Sequence, residues 1–249
     1  MAKKVYEESN IQAIADAIRE KSGSLALYNT SEMAYGVNEV YEAGKKAEYD
    51  VFWDNYQQNG SIMDYSYAFM NDKWNDTNFK PKYPIKTTAA AQVFYGCGMV
   101  DTKLECDFSG CTAYTYWTFR WCKAKHIGVV DFSNSVRGDY LGGCFGFMTN
   151  CTDIDELILS EKYEFLNTFA NSPKLTNVKF SGTIGQNKLN LSPCTQLTHD
   201  SLMSVINCLK DYSKDTSGTS WVVTLGTTNL NKLTNAEKAI ATEKGWSLV

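Results

Sequence analysis

Apolar positions in the second half of the chain recur in a degenerate cadence. Asn150-Cys151-Thr152-Asp153-Ile154-Asp155-Glu156-Leu157-Ile158-Leu159-Ser160 is echoed 21 positions later by Asn171-Ser172-Pro173-Lys174-Leu175-Thr176-Asn177-Val178-Lys179-Phe180-Ser181. The echo matches Ile154 with Leu175, Leu157 with Val178, and Leu159 with Phe180. An earlier copy runs from Lys125 through Ile127, Val129 and Phe132 to Ser133. Short apolar runs closed by turn residues read as strands. They fall at Leu104–Phe108, Val129–Phe132, Leu157–Leu159, Val178–Phe180 and Leu189–Leu191, with Ser109-Gly110, Ser181-Gly182 and Ser192-Pro193 as turns. Similar units at such spacing predict a solenoid, in which each winding buries its apolar side only by stacking on the next. In this reading Asp153, Asp155 and Glu156 occupy the turn before a strand, where short acidic side chains stabilise bends.

The flanks have a different period. Ser9 or Asn10 can cap a helix carrying Ile11, Ile14 and Ile18, with Gly23 just past its end. Thr30 or Ser31 can cap a second helix with Met33, Val37, Val40 and Tyr41 on one face, continuing through Val51 and Trp53 to Gly60. Residues 61–90 are rich in aromatics, and Pro81 and Pro84 forbid a regular helix there. This stretch reads as a cap on the open end of the stack. From about 198 the order becomes helix, strand, helix, strand. Leu202, Val205, Ile206 and Leu209 form a helical stripe, Trp221–Gly226 a strand, Leu233–Gly245 a second helix and Trp246–Val249 a last strand. The fold class is therefore an α/β solenoid: an irregular leucine-rich-repeat-like stack of short parallel strands. An N-terminal helical module covers 1–60, a transition 61–90, and the stack with its C-terminal α/β cap 91–249.

Composition narrows the function. The 249 residues are 43% hydrophobic, enough for a sizeable core. Net charge is -4 and the basic residues are scattered, which argues against nucleic acid as a partner. The opening Met1–Glu8 has no apolar h-region, so no secretory signal is expected, and no apolar run is long enough for a membrane span. The eight cysteines are then expected to be buried thiols, with Cys97, Cys122, Cys151 and Cys194 at the corners of the windings.

The cadence Phe-x-x-Cys/Ser, Leu-x-x-Val/Leu-x-Phe/Leu, clearest over Phe169–Phe180, resembles BspA-like leucine-rich repeats over roughly 91–192. The runs Ile11–Gly23 and Ser31–Ala34, and the ending Leu233–Leu248, are similar to those of proteins from gut bacteria and their tailed phages. The resemblance implies a structural component of a phage virion, in a tail or surface appendage, assembled in the host cytoplasm. It implies other virion proteins or a host-surface protein or glycan as partners. Appendage proteins of this kind are often trimers, and Ile11, Ile14 and Ile18 would be the seam of a homo-oligomer. The alternative reading is a cytosolic bacterial or prophage-encoded module that binds another protein. The strand steps vary from about 11 to 27 residues, and an aromatic-dense stretch at 113–121 departs from the repeat.

Candidate chemistry is sparse, and no catalytic residue, metal or cofactor is expected. There is no Cys-x-x-Cys, and only His126 and His199 could add imidazole ligands. His199-Asp200-Ser201 holds triad residue types, but adjacent in sequence they read as a helix start. Asp153, Asp155 and Glu156 are candidates for a glycan hydrolase pair by proximity alone. Leu141–Gly146 is glycine-rich without a phosphate-loop lysine, and its glycines read as points of close approach between windings. The segment with a surplus is Tyr114-Thr115-Tyr116-Trp117-Thr118-Phe119-Arg120-Trp121. Strand alternation would set Tyr114, Tyr116 and Thr118 on one side and Trp117, Phe119 and Trp121 on the other. Tyr114, Tyr116, Trp117 and Trp121 are the expected ligand-binding residues.

Overall fold

The computed structural model describes residues 13–17, 20–21, 40, 43–44, 92–96, 103–104, 107–112, 115–135 and 143–249. The chain divides into two compact units, Met1–Gly60 and Ser61–Val249. In the first, residues 13–17 are helical, with Ala15 buried and Ile14 51% exposed. Ile11, Ile18, Tyr114 and the aromatic stretch at 61–90 lie outside the described residues.

The second unit is built on a parallel four-stranded sheet in chain order: β1 (Lys103–Leu104), β2 (His126–Phe132), β3 (Asp153–Leu159) and β4 (Asn177–Gly182). Then follow α1 (His199–Cys208), β5 (Trp221–Val223), α2 (Gly226–Leu230), α3 (Asn235–Glu243) and β6 (Trp246–Leu248), with β5 and β6 paired in parallel. The coarse α/β architecture is thus present. Asp153, Asp155 and Glu156 lie within β3 rather than in a turn before it. Residues 189–191 form no strand beyond a lone bridge from Asn190 to Thr224, and Gly226 opens a helix rather than closing a strand.

The register also differs from the 21-residue echo. Ile154 pairs with Val178, and Leu157 with Phe180, with a bulge between Ile154 and Leu157. The turn residues are what align the strands. Thr152 N–H donates to the Lys125 carbonyl, Thr176 N–H to that of Thr152, and Thr198 N–H to that of Thr176. Leu175, which the echo matched with Ile154, instead occupies the buried corner that Cys151 fills one step earlier. Each N–H there donates to a carbonyl three residues back. An apolar cadence at one period cannot distinguish corner from strand, because both bury their side chains.

A second repeated turn follows the strands. Asp107, Asp131 and Asn190 each accept from the backbone N–H two residues on, at Ser109, Ser133 and Ser192. These are Asx turns, in which a short side chain imitates a backbone turn.

The interior is an aromatic ladder. Phe94, Phe119, Phe145 and Phe169 lie face to face, with centroid separations of 5.4, 5.1 and 5.2 Å. Phe132 stacks on Tyr163 at 5.6 Å and tilts against Phe108. All seven rings are fully buried. Large aromatics spaced in this way bind successive windings through area burial and offset stacking.

The exposed edge of β4 is covered by a helix. Ser201 and Ser204 of α1 accept from the N–H groups of Val178 and Phe180, so side chains complete a ladder that would otherwise stay open. Thr198 caps α1, and Lys244 donates to the Ile206 and Asn207 carbonyls at its other end. Asn229 is fully buried and donates to the carbonyls of Leu191, Cys194 and Leu225, which ties α2 to the preceding turn.

Thr234 and Glu237 form a capping box on α3, and Glu237 also accepts from His199 Nε2 at 2.8 Å. That hydrogen bond raises the His199 pKa above 6.5, against a smaller opposing effect of desolvation. Glu237 is held low by hydrogen bonds from the Thr234 backbone, the Thr234 hydroxyl and His199. A raised folded-state value means the stabilisation is complete below pH 6.5 and is lost as pH rises through the folded pKa. The urea midpoint gap between wild type and His199→Gln should therefore be widest near pH 6 and shrink by pH 9. A gap that is constant with pH would contradict the pairing.

Cys111, Cys122, Cys144, Cys151 and Cys194 are buried free thiols, and Cys208 is half-buried. Burial pushes the Cys194 thiol up to about 12 and raises Cys151 as well. Thiolate is the reactive form, so both should resist iodoacetamide at pH 8 until the fold is lost. Peptide mapping by mass spectrometry would detect early labelling at either residue, which would refute their burial.

Candidate functional site

The backbone turns a corner around each ladder phenylalanine. Two residues before and two after that ring, the backbone enters the left-handed region. The pairs are Gln92 and Gly96, Trp117 and Trp121, Gly143 and Phe147, and Asn167 and Asn171. Glycine and asparagine tolerate this conformation, while bulky side chains pay for it. Two windings hold at least one glycine there and a third has asparagine twice. The winding at 117–121 carries tryptophan at both positions, with φ of 56° and 59°.

Hydrogen bonds on both sides hold that corner in place. Gln92, Phe94 and Gly96 donate to the carbonyls of Tyr116, Thr118 and Arg120, and Phe119 and Trp121 donate to those of Cys144 and Gly146. Thr118 Oγ1 donates to the Thr115 carbonyl at 2.7 Å, inside the winding. Gly143 permits the close approach of the next winding: a Cβ there would lie 2.8 Å from the Asn167 oxygen. The glycine-rich stretch therefore does bring neighbours together.

The corner is a turn, not a strand, and this corrects the expected alternation. Thr118 and Phe119 are both buried, Tyr116 and Trp117 are half-buried, and Trp121 is 43% exposed. A tight turn points consecutive side chains inward, which a period of two forbids. Of the four expected ligand-binding residues, Tyr116 and Trp117 touch, at 6.2 Å between ring centroids. Trp117 and Trp121 both meet Tyr95, at 6.0 and 5.0 Å.

Arg120 and Phe147 complete the cluster, and neither was singled out as a site residue from the sequence. The Arg120 guanidinium carbon lies 5.2 Å from the Trp117 centroid, 4.7 Å from that of Trp121 and 4.5 Å from that of Phe147. Trp121 and Phe147 are 5.7 Å apart. A guanidinium held over aromatic faces is attracted by the ring quadrupoles, and its flat faces stack. The signal for Phe147 was its place two residues after the ladder ring Phe145, equivalent to Trp121 two after Phe119. The indole N–H of Trp117 is buried without a hydrogen-bond partner among the described residues.

Backbone strain here has a direct test. Glycine usually destabilises relative to alanine, but at positive φ the order reverses by about 1 kcal/mol. Trp121→Gly should therefore unfold at higher urea than Trp121→Ala. Alanine proving the more stable would mean that residue 121 does not hold this conformation.

A second concavity, a cleft of about 420 Å³, lies across the starts of β2, β3 and β4 and the N-terminus of α1. Its charges are paired internally. Asp155 accepts from Lys103 and His126, and Asp153 from Thr152 and Asn177, while Lys179 meets Glu156 at 2.9 Å. Burial would raise the Asp155 carboxyl, but the hydrogen bonds from Lys103 and His126 win and hold it below its ordinary range. A glycosidase acid needs the opposite shift. His199 and Asp200 sit in the first turn of α1, with Thr198 as its cap, so this triad-like tripeptide is a helix start.

Among the described residues, no group of three or more His, Cys, Asp or Glu gathers as a metal site. No described helix is long and apolar enough to cross a membrane. No family model, curated protein or solved structure matches the chain.

Proposed function

We propose that this chain is a non-enzymatic structural and interaction protein, built as an irregular leucine-rich-repeat-like solenoid that presents one corner for binding. The observation that carries the reading is the pair of tryptophans at left-handed corner positions around Arg120. Residues held in such conformations, at a cost of about 1–3 kcal/mol each, persist where the surrounding structure over-determines them and cluster at functional sites. The parallel strands in chain order and the stacked phenylalanines support the solenoid. Backbone and side-chain groups meet across steps of 22 to 27 residues, as successive windings require.

The setting is a phage virion, in a tail or surface appendage. Support comes from the resemblance of both chain ends to phage-associated proteins. Ile14, half-exposed on its helix, is available to a homo-oligomer seam that Ile11 and Ile18 would extend. Light scattering on the purified full chain should give a mass of two or more copies, with a trimer as the reference case. Mass spectrometry of gradient-purified particles should find the chain among virion proteins. A monomer absent from particles would overturn the virion reading.

A further inference from the structure

We propose that the column Trp121–Phe147–Asn171 binds a neutral saccharide, an extended chain of pyranose rings laid across three successive corners. This rests on the reading of the chain as an interaction protein and adds the ligand class. Gly96, Trp121, Phe147 and Asn171 hold the same left-handed position, two residues after the first four ladder rings. Gly96 N–H donates to the Arg120 carbonyl, Trp121 N–H to that of Gly146 and Phe147 N–H to that of Ala170, so the four are in register.

The chemistry changes along this column. Trp121 is the large exposed ring, and Phe147, half-buried, lies 5.7 Å from it. Tyr95 meets Trp121 edge-on and the Arg120 guanidinium packs on both rings, so their faces are held in place. The next corner offers amides instead. Asn167 and Asn171 are both exposed, and among the described residues neither side-chain amide has a hydrogen-bond partner. A neutral pyranose chain uses both features. Its C–H faces pack on aromatic rings, and its hydroxyls pair with an amide that donates and accepts.

Spacing sets the direction of the bound chain. Ladder rings of consecutive corners are 5.4, 5.1 and 5.2 Å apart, close to the length of one sugar unit in an extended β-1,4-linked chain. One sugar then falls over Trp121, the next over Phe147 and a third beside Asn171. A protein partner would need apolar surface to continue, on the order of 800 Å² a side, whereas here the rings give way to amides. Arg120 is already committed to three rings, so recognition rests on faces and amides and not on charge.

The test is calorimetric titration of the full chain with two neutral series, β-1,4-linked glucose and β-1,4-linked N-acetylglucosamine, each as monomer and trimer. At least one trimer should bind about tenfold or more tighter than its own monomer. The two series distinguish a plain hydroxylated ring from an N-acetylated one. Trimer affinity should be equal at low and high salt, because no free charge takes part. Glycine holds a left-handed corner without a side chain, so Trp121→Gly and Asn171→Gly remove the contact and keep the backbone. A cooperative urea transition in each variant verifies the fold. Trp121→Gly should weaken the trimer about tenfold or more, and Asn171→Gly about threefold or more.

No binding of either trimer, equal affinity for monomer and trimer, affinity that falls with salt, or full trimer affinity in either folded variant would each overturn the proposal. A chain that is found in particles as an oligomer but binds no saccharide loses only this inference. A monomer absent from particles that still binds a trimer loses the virion reading and keeps this one.

Discussion

Phe145→Ala is expected to cost about 4 kcal/mol, measured as the shift in urea unfolding free energy. The ring is fully buried and is stacked on both faces, on Phe119 at 8° and Phe169 at 7° between planes. Its removal leaves a cavity between two windings that the hydrogen-bonded corners cannot close, because Phe145 N–H is itself tied to the Thr168 carbonyl and Phe119 N–H to that of Cys144. Two aromatic pairs, each contributing about 0.5–1.5 kcal/mol beyond area burial, are lost together. Phe145→Leu keeps most of the volume and should cost about half as much. A loss under 1 kcal/mol for alanine would mean that the ladder is not a single continuous core.

Gly182→Ala is expected to cost about 3 kcal/mol, for two separable reasons. The residue has φ of +77°, and an added Cβ would lie against the Leu159 carbonyl oxygen, closer than any non-bonded contact allows. Leu159 cannot yield easily, since its oxygen accepts from Thr183 N–H and the residue pairs with Gly182 in the sheet. Gly218 is the control. It has φ of +76° and nothing within 4 Å of an added Cβ, so Gly218→Ala pays the conformational penalty alone, about 1 kcal/mol. The difference between the two midpoints isolates the clash. Equal effects would remove the argument from close approach.

Much of the C-terminal region was legible as local pattern. Thr198 announces a helix start by cap chemistry, which acts within four residues and needs no partner elsewhere, whereas Thr234, read as inside the next helix, is its cap. Gly245 ends the second of these helices in the left-handed region, as a terminal glycine should. The strands around Val129–Phe132, Leu157–Leu159 and Val178–Phe180 were visible as apolar runs, though β2 begins three residues and β3 four residues before its run. The polar first residues of β3 and β4 are strand because the preceding Thr152 and Thr176 place them beside a neighbour, and a single segment does not encode that neighbour.

The candidate site was half legible. An excess of aromatics between 114 and 121 drew attention to Trp117 and Trp121 from composition alone, whereas Arg120 and Phe147 gain their role from contact. Phe147 lies in the 143–147 corner, and only the meeting of that corner with 117–121 brings its ring over the guanidinium.

The order of residues alone settled the helices at His199–Cys208 and Asn235–Glu243, the apolar centres of β2, β3 and β4, and which rings and thiols are too apolar to stay in water, since propensity, capping and hydropathy act over a few residues; it did not settle α2 or the absence of a strand at 189–191. The folded chain decided the partner of each strand, the stacking of four phenylalanines into one column and the exposure of Trp121. These depend on which segments lie side by side, and adjacency across 22 to 27 residues is fixed by hydrogen bonds and packing between them.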